Sequence, residues 1–85
     1  MITREHVVEI IGKYLKREIA LEALVDWAET AMMQGEFDDR HFDAIRTVVE
    51  RLGLADVRAF GLTWEDCDHL LGILGYSTRI QIVAS

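Results

Sequence analysis

The sequence predicts a mainly α fold: a compact bundle of about four helices with a short C-terminal β-strand. Three observations predict it. Apolar residues recur at steps of three and four over most of the chain. There is no proline, and Gly35, Gly53, Gly61 and Gly75 each follow such a periodic segment, where a helix C-terminus favours a left-handed residue. Only the tail, YSTRIQIVAS, changes period, to an alternation rich in β-branched residues. With 85 residues, a single domain spanning 1–85 is expected.

The first helix is predicted from about Arg4 to Arg17, with Thr3 as N-cap. Val7, Ile10, Ile11, Tyr14 and Leu15 form its apolar stripe, Glu9 and Lys13 pair on the surface, and Gly12 falls on the polar side. The second helix runs from about Ala20 to Gln34. Leu21, Leu24, Ala28 and Ala31 gather on its inner side, with Trp27 at the edge. The third runs from about Arg40 to Leu52, capped by Asp38 or Asp39, with Phe42, Ile45, Val48, Val49 and Leu52 facing inward. On its outer side Asp43, Arg46 and Glu50 form a self-paired cluster.

Residues 54–62, LADVRAFGL, read as a helical turn opened by Asp56 or as a short strand; the turn is preferred, with Phe60 and Leu62 as core plugs. The fourth helix opens at TWED, where Thr63 and Asp66 make a capping-box arrangement. Trp64, Cys67, Leu70, Leu71 and Leu74 face inward. In the tail, Ile80, Ile82 and Ala84 alternate with Arg79, Gln81 and Val83. A lone strand leaves its backbone groups in need of a partner, either residues 56–60 or the same tail of a second copy. The expected core is Val7, Ile10, Ile11, Tyr14, Leu21, Leu24, Trp27, Phe42, Ile45, Val49, Leu52, Phe60, Trp64, Leu70, Leu71 and Leu74.

The formal net charge is −6, and the basic residues are dispersed with no run. Nucleic acid is therefore not an expected partner, because phosphate binding needs clustered Lys and Arg. The N-terminal stretch MITREHVVEIIGKYLKRE is broken by His6, Glu9 and Lys13 and does not read as a signal peptide. No uncharged stretch approaches the roughly 20 residues of a membrane span, so the expectation is no membrane partner. The one cysteine, Cys67, fits a reducing compartment. A cytoplasmic protein is the reading these features favour.

Chemistry-bearing motifs are scarce. WEDCDH, residues 64–69, mixes metal-binding residue types, but Cys67 and His69 lie roughly 200° apart on a helix and cannot share an ion. Glu65 and His69 fit an acid–imidazole surface pair instead. GEFDDRHFD, residues 35–43, lacks the ligand order of a calcium loop. No nucleophile elbow, P-loop, zinc-protease or dinucleotide motif is present. His6, His41 and His69 fall on three different helices, and Cys67 sits on a core-facing stripe. The reading is a chain with no enzymatic activity, no metal and no cofactor.

The strongest lead is EIALEALVDWAE, residues 18–29. Around a helix, Glu18, Glu22, Asp26 and Glu29 fall within roughly 80° of arc. From Glu18 to Asp43 there are eight acids against one base, Arg40. Like charges four apart destabilise an isolated helix by a few tenths of a kcal/mol each. The offset is either internal, from Lys13, Lys16 and Arg17, or a basic protein partner drawn by the negative field. The residues assigned to that partner are Glu18, Glu22, Asp26, Glu29, Met33 and Glu36, with Met33 close to the stripe by angle. A solvated face remains the ordinary alternative.

YLKREIALEALVDWAE, a helix end, a short turn and a second helix with Leu and Trp-Ala, resembles the opening of small acidic helical bacterial proteins such as bacteriocin immunity proteins and other toxin-neutralising partners. The later LTWEDCDHLLGILGY resembles a member of a small uncharacterised bacterial family. The first resemblance covers about a fifth of the chain and implies a single helical domain whose acidic face blocks a basic toxin surface. The alternative function is a self-associating structural or regulatory subunit, a homodimer formed through Arg79, Ile80, Gln81, Ile82 and Val83.

Overall fold

In a computed structural model, residues 1–56 and 62–76 are described. Within them the chain forms α1 (Arg4–Leu15), α2 (Leu21–Gln34), a 3-10 turn (Asp39–His41), α3 (Phe42–Gly53) and α4 (Trp64–Ile73). The predicted tail strand, with Arg79 to Val83, lies outside the described residues, as do residues 57–61 of the ambiguous 54–62 segment, Phe60 and Gly61 among them. Among the described residues the β contact is a single parallel bridge, Ile2 to Phe37. There the Ile2 N–H donates to the Glu36 carbonyl at 2.7 Å and the Asp38 N–H to the Ile2 carbonyl at 2.9 Å.

Local chemistry explains most of the boundaries. Thr3 caps α1: its hydroxyl accepts from the His6 N–H at 3.2 Å, and the Thr3 N–H donates back to the His6 ring at 3.4 Å. Thr63 and Asp66 cap α4 in the same reciprocal way, at 3.1 and 2.9 Å. Asp38 accepts from the Arg40 N–H and caps the 3-10 turn. Gly35 ends α2 in the left-handed region at φ 66°. Gly53 is instead the last residue of α3 rather than a left-handed stop.

The first helix ends earlier than the periodicity suggests. Arg17 takes φ 63°, a conformation usually left to glycine. Its N–H donates to the Tyr14 carbonyl at 3.0 Å, and the Glu18 N–H donates to the Lys13 carbonyl at 2.8 Å. This is a Schellman stop with arginine in the left-handed position. The same motif closes α4, with Gly75 at φ 86° and the Tyr76 N–H bonded to the Leu71 carbonyl at 2.8 Å.

The core joins Val7 and Ile11 of α1, Leu24, Ala28 and Ala31 of α2, Ile45, Val48, Val49 and Leu52 of α3, and Cys67, Leu70, Leu71 and Leu74 of α4. α2 and α3 pack on each other far more extensively than any other pair; α1 touches the other three helices, and α4 packs on α1 and α3. Ile10, Tyr14, Leu21, Trp27 and Leu62 are half-buried against this core.

Several expected positions move. Phe42 is 38% exposed, because Phe37 takes the core site and Phe42 stacks edge-on outside it at 5.7 Å. Trp64 is 46% exposed, since the first turn of α4 faces an open hollow shared with Tyr14, Arg17 and Glu18. Gly12, expected on the polar side, is buried. Val25, absent from the expected core, is buried too, at the border of the acidic side of α2.

Candidate functional site

The α2 helix separates its two faces cleanly. Leu24, Ala28 and Ala31 are buried in the core, while Glu22, Asp26 and Glu29 are exposed. Met33 continues the same ridge four residues beyond Glu29, and it is 87% exposed. The ridge is therefore three acids followed by an apolar tip.

The other two acids assigned to the partner surface, Glu18 of the stripe and Glu36, belong elsewhere. Glu18 is not on the helix, because the Arg17 turn ends α1 and Ala20 is the N-cap of α2. It is exposed in the connection and lines the hollow beside Trp64. Glu36 follows Gly35 in the next connection; its side chain is exposed, while its carbonyl holds the Ile2 bridge.

Among the described residues, none of Glu18, Glu22, Asp26, Glu29 or Glu36 forms an ion pair. Among the described residues, Lys13, Lys16 and Arg17 form no ion pair with these acids. Lys13 pairs with Glu9 at 3.7 Å, within α1. On α3, Arg46 pairs with Glu50 at 3.0 Å, as its spacing suggests. The first turn of α2 suits Glu22, and its last turn carries no base. The ridge thus carries repulsion among its own charges.

At that end the last turns of α2 and α3 leave a hollow of about 480 Å³. Met32, Met33, Gly53 and Leu54 line it, with Glu29 and Glu50 at its edges. Leu54 is 44% exposed. The site is a shallow apolar seat with an acidic border, continuous with the ridge. Sequence reasoning found Met33 but missed Leu54, because the hollow depends on how two helix ends meet and not on the period of either.

The second cluster lies on α4. Cys67 is buried whereas His69 is exposed, so the two point apart as their spacing requires. Burial, together with the nearby Asp66 charge, pushes the Cys67 thiol up to about 11. Glu65 and His69 do not pair with each other among the described residues; His69 borders a groove with Thr47, Arg51 and Asp66 instead. Asp66 is held below its ordinary pKa, first by the Thr63 N–H, then by the Thr63 hydroxyl and the positive charges of Arg51 and His69. Arg51 reaches Asp66 at 3.4 Å and ties α3 to α4, a link that sequence reasoning did not anticipate. Among the described residues, no three His, Cys, Asp or Glu side chains gather as a metal site. None of their helices is long and apolar enough to cross a membrane.

No protein-family model matches the chain, and no curated protein or solved structure is significantly similar to it.

Proposed function

We propose that this chain is a non-enzymatic protein-binding module, presenting the acidic ridge of α2 to a basic protein in the manner of an immunity-type inhibitor. One observation carries the reading: Glu22, Asp26 and Glu29 stand exposed on one ridge with no ion pair among the described residues. A basic partner relieves that repulsion through attraction of opposite charges, which also steers its encounter with the ridge. The ridge is rigidly placed, because the opposite side of the same helix is locked into the core.

The test compares the wild-type protein with the double variant Glu22→Lys, Asp26→Lys. Both positions are exposed, so circular dichroism should show the same fold. Each protein is immobilised and exposed to a cell lysate, and retained proteins are quantified by mass spectrometry. The expected result is a basic protein held by the wild type, lost at least about tenfold from the variant, and released by salt. A wild-type column that retains no more basic protein than the variant column rejects the reading.

A further inference from the structure

The hollow between the last turns of α2 and α3 extends the acidic ridge into a composite surface, and its make-up specifies what fits it. We propose that it seats one apolar side chain of a helical, basic partner segment whose Lys or Arg residues run along the ridge; this rests on the binding-module reading above. Met33 and Leu54 are large apolar side chains left facing solvent at its mouth. Burying such side chains against an apolar partner is favourable, and isolated exposed ones would carry no such message. Here they are adjacent, with Met32 beneath them packed on the core.

Charge selects the occupant. Glu29 borders the hollow without an ion pair among the described residues, while Glu50 beside it is paired with Arg46, and Asp26 and Glu22 extend the negative ridge away from it. A second copy of this chain would bring the same acids against each other. An anionic lipid surface would be repelled in the same way. A segment that carries cations beside an apolar residue meets both demands.

The spacing is also informative. From Met33 the acids lie four, seven and eleven residues back, at Glu29, Asp26 and Glu22. At about 1.5 Å per residue this is a ridge of about 16 Å. A partner helix of about 12 residues, with its apolar anchor at one end and cations at the same steps, lies along it in register.

The experiment uses two alanine-based helical peptides, each with a terminal Leu anchor and Lys at four, seven and eleven positions from it. One has Leu first and the other has Leu last, so both directions are covered. Matched controls replace Leu with Ser. Binding to the full chain is read by fluorescence anisotropy, and the contact is mapped by amide chemical shifts. At least one anchored peptide should bind about tenfold tighter than its Ser control and shift Met33, Gly53 and Leu54. The variant Met33→Ser, Leu54→Ser should erase that advantage while leaving the anchorless peptide unchanged. Both residues face solvent, so this variant is expected to fold.

Equal binding of anchored and anchorless peptides, with shifts confined to Glu22–Glu29, overturns the seat and leaves the acidic-ridge reading standing. Anchored binding that survives Glu22→Lys, Asp26→Lys undiminished rejects the basic partner instead. Absence of binding by either anchored peptide overturns the seat. So does a wild-type dimer that Met33→Ser, Leu54→Ser converts to monomer in light scattering.

Discussion

Arg4 Nη1 donates a hydrogen bond to the Leu74 carbonyl at 3.1 Å, joining the first turn of α1 to the C-terminal end of α4. The same guanidinium lies 5.6 Å from the centre of the Tyr76 ring, and the Tyr76 hydroxyl reaches Glu5 at 3.2 Å. One cation therefore occupies the negative end of α4 and holds α1 and α4 together.

Replacing Arg4 with Met keeps an unbranched apolar stem but removes the donor and the cation. The loss should be about 1–2 kcal/mol. In urea denaturation the midpoint should fall with an unchanged slope. Tyr76→Phe keeps the ring beneath the guanidinium and should cost clearly less.

The two Schellman stops make opposite predictions. Arg17→Gly relieves a left-handed backbone on a side chain that disfavours it, and should stabilise the protein by up to about 1 kcal/mol. Gly75→Ala adds strain at φ 86° and brings its Cβ to 3.3 Å from Arg4 Nη1, so it should cost about 1–2 kcal/mol. Thermal melts of the two single variants should move in opposite directions.

Asp66 connects stability to acid. Its folded pKa lies below its unfolded value, so the unfolded state binds the proton more readily. The stabilisation is fully present above the unfolded value and disappears as pH falls through the folded one, below about pH 4. Asp66→Asn should be less stable than wild type at neutral pH and show a shallower loss on acidification. Identical pH profiles for the two proteins would remove Asp66 from the account. Thr63→Ala, which removes the hydroxyl half of the same cap, should cost about 1 kcal/mol.

Cys67 should be silent in the folded protein. Its thiol is buried, and with a pKa pushed to about 11 almost none is thiolate at neutral pH. A disulfide reagent should label it only as fast as the chain opens, and quickly in denaturant. Fast native labelling would contradict this placement.

Caps and core stripes were legible because they are written in short-range spacing. Thr3, the Thr63–Asp66 box, Gly35 and Gly75 all act where their spacing places them, and Ile45, Val49 and Leu52 are buried as their period requires. The end of α1 was not legible, since Arg17 performs a glycine's task without a glycine's signal. That is why Glu18 leaves the helical stripe while Glu22, Asp26 and Glu29 keep it. Phe37 lies in a connection, where no period marks burial, and it displaces Phe42 from the interior. The Met33–Leu54 hollow and the Arg51–Asp66 link depend on the approach of different helices, which local pattern does not encode.

The uneven sharing of contact among the helices has a kinetic consequence. α2 and α3 are neighbours in the chain and hold the largest interface, so their pairing closes only a short loop. That pair is the expected nucleus, with α1 and α4 joining it from either side. Val49→Ala should then mainly slow refolding, whereas Leu71→Ala should mainly speed unfolding. Stopped-flow measurements across denaturant concentrations distinguish the two, and the reverse pattern would place the nucleus elsewhere. On this scheme the protein assembles from the middle of its chain outward.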